Sequence, residues 1–169
     1  MSKGIDIPID ALLADFNTYL WTSKVRSFYG RVFRNIKNDQ SKVCPEVLIT
    51  GTNSYTEVLK DSSKDAQCFF DVQPSPANAK DIYTSDVWLC LMVNLSKLYP
   101  LLSRADAQDQ VQRDVMDLLM SSQFEITGFT GYEGFTGYDW GEDSTAQAKA
   151  DMSPSYLFKY ILQTTFINS

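Results

Sequence analysis

The feature that most limits the possible folds is the segment from 83 to 95, which is apolar on both faces of an extended chain. Valine or leucine occupies alternate positions from 87 onward, and Trp88, Cys90 and Met92 lie between them. Successive side chains of a strand point to opposite faces of its sheet, so both faces here must be covered. The segment therefore predicts a central strand with other structure packed on each side.

Periodic patterns elsewhere predict the neighbours of this strand. Helical periodicity covers about residues 8–21 and 103–120; strand patterns begin at Lys24 and cover 46–50, 55–59, 66–72 and 156–167. We expect the strands 55–59 and 66–72 to form a hairpin. Strands in runs, with helices before and between them, are typical of an α+β domain. We therefore expect one domain over residues 1–169, with a largely antiparallel sheet flanked by an N-terminal helix and a helix near 103–120.

The composition excludes several kinds of active site. The 169 residues include no histidine, which rules out Ser-His-Asp and Cys-His nucleophile systems and every His-ligated zinc site. The three cysteines, at 44, 68 and 90, are too far apart for a CxxC pair and lie in apolar runs, so we expect buried thiols. No phosphate-binding, nucleophile-elbow or kinase motif is present. We expect neither an enzyme nor a cofactor or metal site.

A tandem repeat is the most distinctive local feature. Residues 128–133 (GFTGYE) are followed by 134–139 (GFTGYD) and Trp140, and five of the eight glycines lie between 128 and 141. Such glycine density disfavours a helix, and long loops in compact domains are usually functional or disordered. We expect a long glycine- and aromatic-rich loop or projecting arm over 128–155. Its candidate interface residues include Tyr132, Tyr138 and Trp140, although these aromatic rings could instead fold back on the core.

Charge is distributed unevenly along the chain. Residues 24–42 hold six basic side chains and one acid, whereas residues 125–151 hold six acids and one base. A positive patch that meets a neighbour's negative patch fixes orientation, and head-to-tail contacts of this kind form rings or filaments. The two segments could also lie side by side and neutralise each other. The candidate subunit-interface residues are Arg26, Arg31, Arg34 and Lys37 on the basic segment and Asp139, Glu142 and Asp143 on the acidic one.

The acidic and aromatic residues of the loop also suggest a second function. Asp139, Glu142 and Asp143 lie beside Tyr138 and Trp140, a combination found in carbohydrate and calcium sites. The spacing does not match a calcium-binding helix–loop–helix, while paired carboxylates of glycosidases have no fixed spacing. The alternative is a carbohydrate- or surface-binding module that uses the aromatic loop.

Three segments resemble a known class of proteins: Tyr29–Ile36 (YGRVFRNI), Cys68–Val72 (CFFDV) and Val93–Pro100 (VNLSKLYP). They look like segments of small virion structural proteins of tailed bacteriophages, including the crAss-like phages of Bacteroidetes-type hosts. The order of elements, ending in a long strand, is similar to tail-terminator and neck proteins. The resemblance covers most of the chain, but the 128–140 repeat departs from a minimal terminator.

This resemblance implies a tail-terminator-like fold and a ring-forming subunit without catalytic residues. The ring would connect portal or head to tail around the DNA channel, with other copies and other neck, tail or portal proteins as partners. We expect location in the virion after synthesis in the host cytoplasm.

Charge and hydropathy argue against two other partners. The formal net charge of −6 predicts no specific nucleic-acid binding, although DNA could pass through a ring. The longest apolar run, 87–93, is much shorter than the roughly 20 residues of a membrane-spanning helix. We therefore expect no membrane association.

Overall fold

A computed structural model describes residues 4–37, 41–74, 77–79 (backbone only), 82–131, 135, 138 and 154–167. The elements follow one another as α1 (Asp6–Tyr19), β1 (Arg26–Lys37), β2 (Val43–Leu48), β3 (Tyr55–Glu57), β4 (Ala66–Val72), β5 (Ala77–Ala79), β6 (Ile82–Asn94), α2 (Leu95–Leu98), α3 (Arg104–Met120), β7 (Glu125–Thr130) and β8 (Ser155–Ile167). The fold is α+β, with helices on a mixed sheet, which confirms the predicted class.

The central strand of the sheet is β6. It pairs antiparallel with β4 on one side and with β8 on the other, where the register runs from Ile82 opposite Ile167 to Asn94 opposite Ser155. The strand order is β3-β2-β1-β4-β6-β8-β7, and β5 pairs with the start of β6. Among the strands that the structure describes, β1 and β4 form the one parallel pair. The predicted central strand, the inclusion of the C-terminal strand and the largely antiparallel pairing are confirmed.

Strand β1 belongs to two sheets. Its first half, from Arg26 to Arg31, runs beside β4, and its second half pairs with β2, with a register shift between Val32 and Arg34. Strand β3 then pairs with β2. Bulges bend a strand and increase its twist, which lets one strand leave one sheet and join another. We call the second half of β1 together with β2 and β3 the side sheet.

Apolar side chains cover both faces of the main sheet. On the first face, α1 and α3 pack on a cluster that includes Phe70, Leu89 and Tyr160. On the second face, valines of the side sheet pack on residues of the main sheet to form a second cluster. Its members include Val32, Val47, Val58, Phe69, Cys90 and Met92. Because other structure packs on both faces of the main sheet, the central strand is apolar at every position from 87 to 93.

The expected hairpin between 55–59 and 66–72 is wrong. Strand β3 pairs with β2, and the Val58 N–H, just after β3, donates to the Pro45 carbonyl at 2.8 Å. The chain then crosses to the main sheet, where the Gln67 side chain bonds to the backbone of Asp61 and Leu59. Val58 is completely buried in the second cluster. The pairing of β3 with β2 buries Val58 under the side sheet. No local sequence pattern reveals this burial.

The start of the expected arm at residue 128 is also corrected. Strand β7 extends to Thr130 and pairs with β8, so the first three residues of the expected loop belong to the sheet. At Gly128, a Cβ atom would lie 3.0 Å from Cδ1 of Ile161, tighter than most such contacts. This glycine therefore leaves room for the Ile161 side chain on β8, a role that its place in a glycine repeat conceals.

No helix in the part of the chain that the structure describes is long and apolar enough to cross a membrane.

Candidate functional site

The predicted interface residue Arg26 lies at the end of α1. Its Nη1 donates to the carbonyl oxygens of Phe16, Asn17 and Leu20 at 3.2, 3.3 and 2.6 Å. The Phe16 carbonyl also accepts from the Leu20 N–H at 2.9 Å. Carbonyls in the last turn of a helix generally lack intrahelical partners, and a cation here also opposes the negative end of the helix dipole. The guanidinium further lies 5.3 Å from the ring centre of Phe28. Arg26 thus caps α1 and holds it on β1.

Two further predicted interface arginines pair with acids inside the fold. Arg31 Nη1 lies 3.0 Å from Asp6 Oδ1 at the start of α1. Arg34 Nη2 donates to both carboxylate oxygens of Glu46, at 3.0 and 3.1 Å, across the β1–β2 pair. Neither Asp6 nor Glu46 belongs to the 125–151 segment. Part of the basic charge is therefore neutralised within the fold, by acids that sequence alone does not single out.

The remaining predicted interface residues fall into three groups. Lys37 lies exposed at the end of β1. Tyr138 is described and buried, with 5% of its surface exposed. The others lie outside the described residues: Tyr132, Asp139, Trp140, Glu142 and Asp143. The structure therefore does not bring the predicted basic and acidic candidates together in its described part.

Tyr138 contributes to the second core rather than to an exposed surface. Its hydroxyl donates to Asp71 Oδ2 at 2.7 Å, and the other Asp71 oxygen accepts from Asn35 Nδ2 at 3.3 Å. Its ring centre lies 5.7 Å from that of Phe69 and 6.0 Å from that of Phe135. For Phe135 and Tyr138, the interpretation that the aromatic rings fold back on the core is the correct one. A buried Tyr138 ring cannot stack on a sugar or contact another subunit.

A buried cation and a buried thiol lie on the same sheet face. Lys159 of β8 is 5% exposed, and its Nζ lies 3.7 Å from the ring centre of Trp88, a cation–π contact. Cys90 lies directly opposite Lys159 in the β6–β8 register. Burial raises the pKa of the Cys90 thiol, and likewise that of Cys68. Raised thiol pKa values are typical of structural cysteines and not of nucleophiles.

The expectation of buried thiols holds for two of the three cysteines. Cys68 and Cys90 are buried, whereas Cys44 on β2 is only half-buried. Within the described ranges, no group of three or more carboxylate, thiol or imidazole side chains is arranged to hold a metal ion.

The outer face of the side sheet exposes apolar side chains. Leu48 lies opposite Tyr55 in the β2–β3 register and directly follows Val47, which faces the core. They are 39% and 38% exposed, and Ile36 on β1 is 47% exposed. Arg34 lies among them, with its guanidinium 4.2 Å from the Tyr55 ring centre. Exposed aliphatic and aromatic groups around a stacked arginine are typical of an interface core.

A groove separates α1 from the side sheet. Its volume is about 710 Å³. The helix contributes Asp6, Asp10 and Leu13, and the sheet side contributes Phe33 and residues 47–51. We call this cleft the side-sheet groove. Apolar walls with a few charged groups are the usual composition of a binding cleft.

A prominent turn joins α2 to α3. Leu101 at its tip is 97% exposed and Leu102 is 42% exposed. The Leu102 N–H donates to the Tyr99 carbonyl at 3.2 Å, and Ser103 Oγ accepts from the Asp106 N–H at 3.2 Å to cap α3. We call residues 99–102 the Leu101 turn. It presents a large apolar side chain on a fixed backbone.

The sequence patterns predicted neither the exposed apolar face of the side sheet nor the Leu101 turn. The available signal was the pair of leucines between Pro100 and the capping residue Ser103, where a turn would be expected to be polar. In the side sheet, β1 carries aromatic or aliphatic residues on both faces, but alternation alone does not say which face is covered.

The molecule is thus an α+β domain in which several charged side chains are bound internally while apolar side chains are exposed. Compared with known protein families, curated proteins and solved structures, the chain matches none.

Proposed function

We propose that this protein is a virion structural subunit that assembles with copies of itself into an oligomeric ring of a phage neck or tail. The observation that carries the proposal is the exposed apolar face of the side sheet around Leu48, Tyr55 and Ile36. Clustered exposed apolar groups of this kind mark interaction surfaces more often than isolated ones do. The phage setting is supported by the three segments of sequence resemblance.

The two ends of the sheet support self-assembly as well. Strand β3 ends the sheet on one side and β7 ends it on the other, each paired on one edge among the described strands. Edge strands offer backbone N–H and C=O groups to another chain. Because the two edges differ, contact between them is head-to-tail, and such contacts close into rings when the rotation permits.

A position around the DNA channel is consistent with the charge of the chain. At a net charge of −6, a ring of many copies repels phosphate more than it attracts it. DNA would therefore pass without adhering. In this role the protein connects portal or head to tail, contacts other neck or tail proteins and catalyses no reaction.

The substitution Leu48→Asp tests the surface that carries the proposal. A carboxylate in the centre of an apolar contact loses its hydration without gaining a partner, so assembly should fail. We expect the wild-type protein to sediment as an oligomer and Leu48→Asp as a folded monomer in sedimentation velocity. The exposed position of Leu48 means that the fold itself should tolerate the change.

Met116→Asp provides a matched control on α3, because Met116 has 41% exposure against 39% for Leu48. This variant should assemble as the wild type does. A wild-type protein that stays monomeric across the concentration range, or a Leu48→Asp variant that assembles normally, would overturn the proposed use of this surface.

A further inference from the structure

We infer that the protein binds a small phosphate ester in a cavity at the start of α1. The cavity has a volume of about 520 Å³ and lies between the first residues of α1, the end of β4 and the start of β6. We call it the α1 cavity. It belongs to a single subunit, so binding there does not depend on the proposed assembly.

The backbone at the start of α1 offers N–H groups to this cavity. Gly4 has a φ of 55°, in the left-handed region, and Ile5, the residue before the helix, has a right-handed helical conformation. Successive residues in these two conformations turn their N–H groups to one side and form a nest that binds anions. Ile5 supplies no side-chain cap to the helix. The first N–H groups of α1 can therefore donate to a ligand, and the helix dipole favours negative charge at this end.

A buried hydroxyl lines the same cavity. Ser85 is 4% exposed, yet no hydrogen bond in the described part of the chain uses its side chain. It lies on β6, two residues before Val87, and so shares with Val87 the sheet face that α1 covers. Buried polar side chains of native proteins nearly always have a hydrogen-bond partner. A bound anion would accept from the Ser85 hydroxyl and supply that partner.

Arg31 contributes a second donor at the cavity wall. Its Nη1 lies 3.0 Å from Asp6 Oδ1, so the charges of these two side chains offset each other. Its Nε is buried and has no hydrogen-bond partner among the described residues. The ligand is thus recognised through donors that the fold leaves unused, the backbone N–H groups, Ser85 and Arg31 Nε, and not through an excess of positive charge.

The rest of the cavity wall is largely apolar. Val72 and Pro74 line it, together with Tyr83 and Phe166, whose rings stack with their centres 5.6 Å apart. A cavity of this size falls within the range of small-molecule pockets and exceeds what a bare phosphate ion fills. The apolar wall therefore favours an ester whose organic group packs against it while the phosphate lies at the helix start.

The first test is a titration of the full-length, unmodified protein with inorganic phosphate, followed by nuclear magnetic resonance of the backbone amides. The Gly4, Ile5 and Asp6 amide signals should shift and saturate, whereas sodium chloride at the same ionic strength should not shift them. Phenyl phosphate should bind at least about threefold more tightly than phosphate, because its ring packs on the apolar wall. Absence of saturable shifts, or equal shifts with chloride, would overturn the site; phenyl phosphate that binds no more tightly than phosphate would overturn the ester.

The second test removes the buried hydroxyl. Ser85→Ala should raise the dissociation constant for phenyl phosphate about tenfold, since it removes a hydrogen bond to a charged group. Thr84→Ala is the matched control on the next residue of β6, because the Thr84 hydroxyl lies 3.1 Å from that of Thr165 and does not line the cavity. This control should leave the constant unchanged. Unaltered affinity of Ser85→Ala, or equal losses in both variants, would contradict the inference.

Discussion

Replacement of Phe16 by alanine is expected to lower the free energy of unfolding by about 3–5 kcal/mol. Phe16 is completely buried between α1 and the main sheet. Its ring centre lies 5.9 Å from that of Phe28 on β1 and 6.3 Å from that of Phe70 on β4. Truncation removes both ring contacts and leaves a cavity that the rigid sheet cannot close. Urea denaturation followed by far-ultraviolet circular dichroism measures the loss.

Tyr19→Ala on the same helix is the matched control for this prediction. Tyr19 is 68% exposed, so its replacement should change the free energy of unfolding by no more than about 0.5 kcal/mol. A Phe16→Ala cost below about 1 kcal/mol would contradict the packing of α1 on β1 and β4 described above.

Replacement of Asp71 by alanine is expected to cost about 2–4 kcal/mol, the second-largest effect. The Asp71 carboxylate is 6% exposed and accepts from Tyr138 Oη and Asn35 Nδ2. Without the carboxylate, the Tyr138 hydroxyl loses its acceptor in a buried site, whereas the exposed Asn35 amide can still bond to water. Chemical denaturation of Asp71→Ala and of Asp117→Ala, an exposed acid on α3, separates this effect from a simple loss of charge.

A double-mutant cycle assigns the effect to the right contact. Tyr138→Phe alone should cost about 1–3 kcal/mol, because it removes one donor from a buried carboxylate. The cost of Asp71→Ala with Tyr138→Phe should fall below the sum of the single costs, since both changes remove the same hydrogen bond. Strict additivity would show that Tyr138 does not bond to Asp71 in solution, and hence that the repeat is not anchored there.

Helices and strands with a clear local periodicity could be predicted from the sequence. The central strand β6 is apolar at every position from 87 to 93. Such a pattern is typical of a strand whose sheet is covered on both faces. Helix α3 lies within the helical pattern predicted near 103–120, and Ser103 caps its first turn. Strand β8 is long and rich in aromatic and β-branched residues, so it could be predicted without knowledge of its neighbours.

Features decided by tertiary contact could not be predicted. The partner of β3 depends on Val58, whose burial requires the side sheet to fold over the main sheet. The partners of Arg31 and Arg34 come from elements 25 and 12 residues away. The charge of a sequence segment gives the number of basic side chains, but it does not show which of them form ion pairs with carboxylates inside the fold.

The exposed apolar surfaces changed the functional interpretation. Charge segregation suggested an interface between the 24–42 and 125–151 segments, yet Arg26, Arg31 and Arg34 all have bonds within their own subunit. The exposed residues Leu48, Tyr55 and Ile36 support the assembly proposal instead. Burial of apolar area, more than surface ion pairing, supplies the free energy of most protein association. An assembly that depends on these residues should therefore persist at high salt.

The central claim is that the protein assembles with itself into a closed ring. Electron microscopy of the purified, unmodified protein, with two-dimensional class averages, tests it most directly. We predict end views with rotational symmetry and a central opening. A uniform population of monomers at concentrations well above those used for the grids would contradict the account.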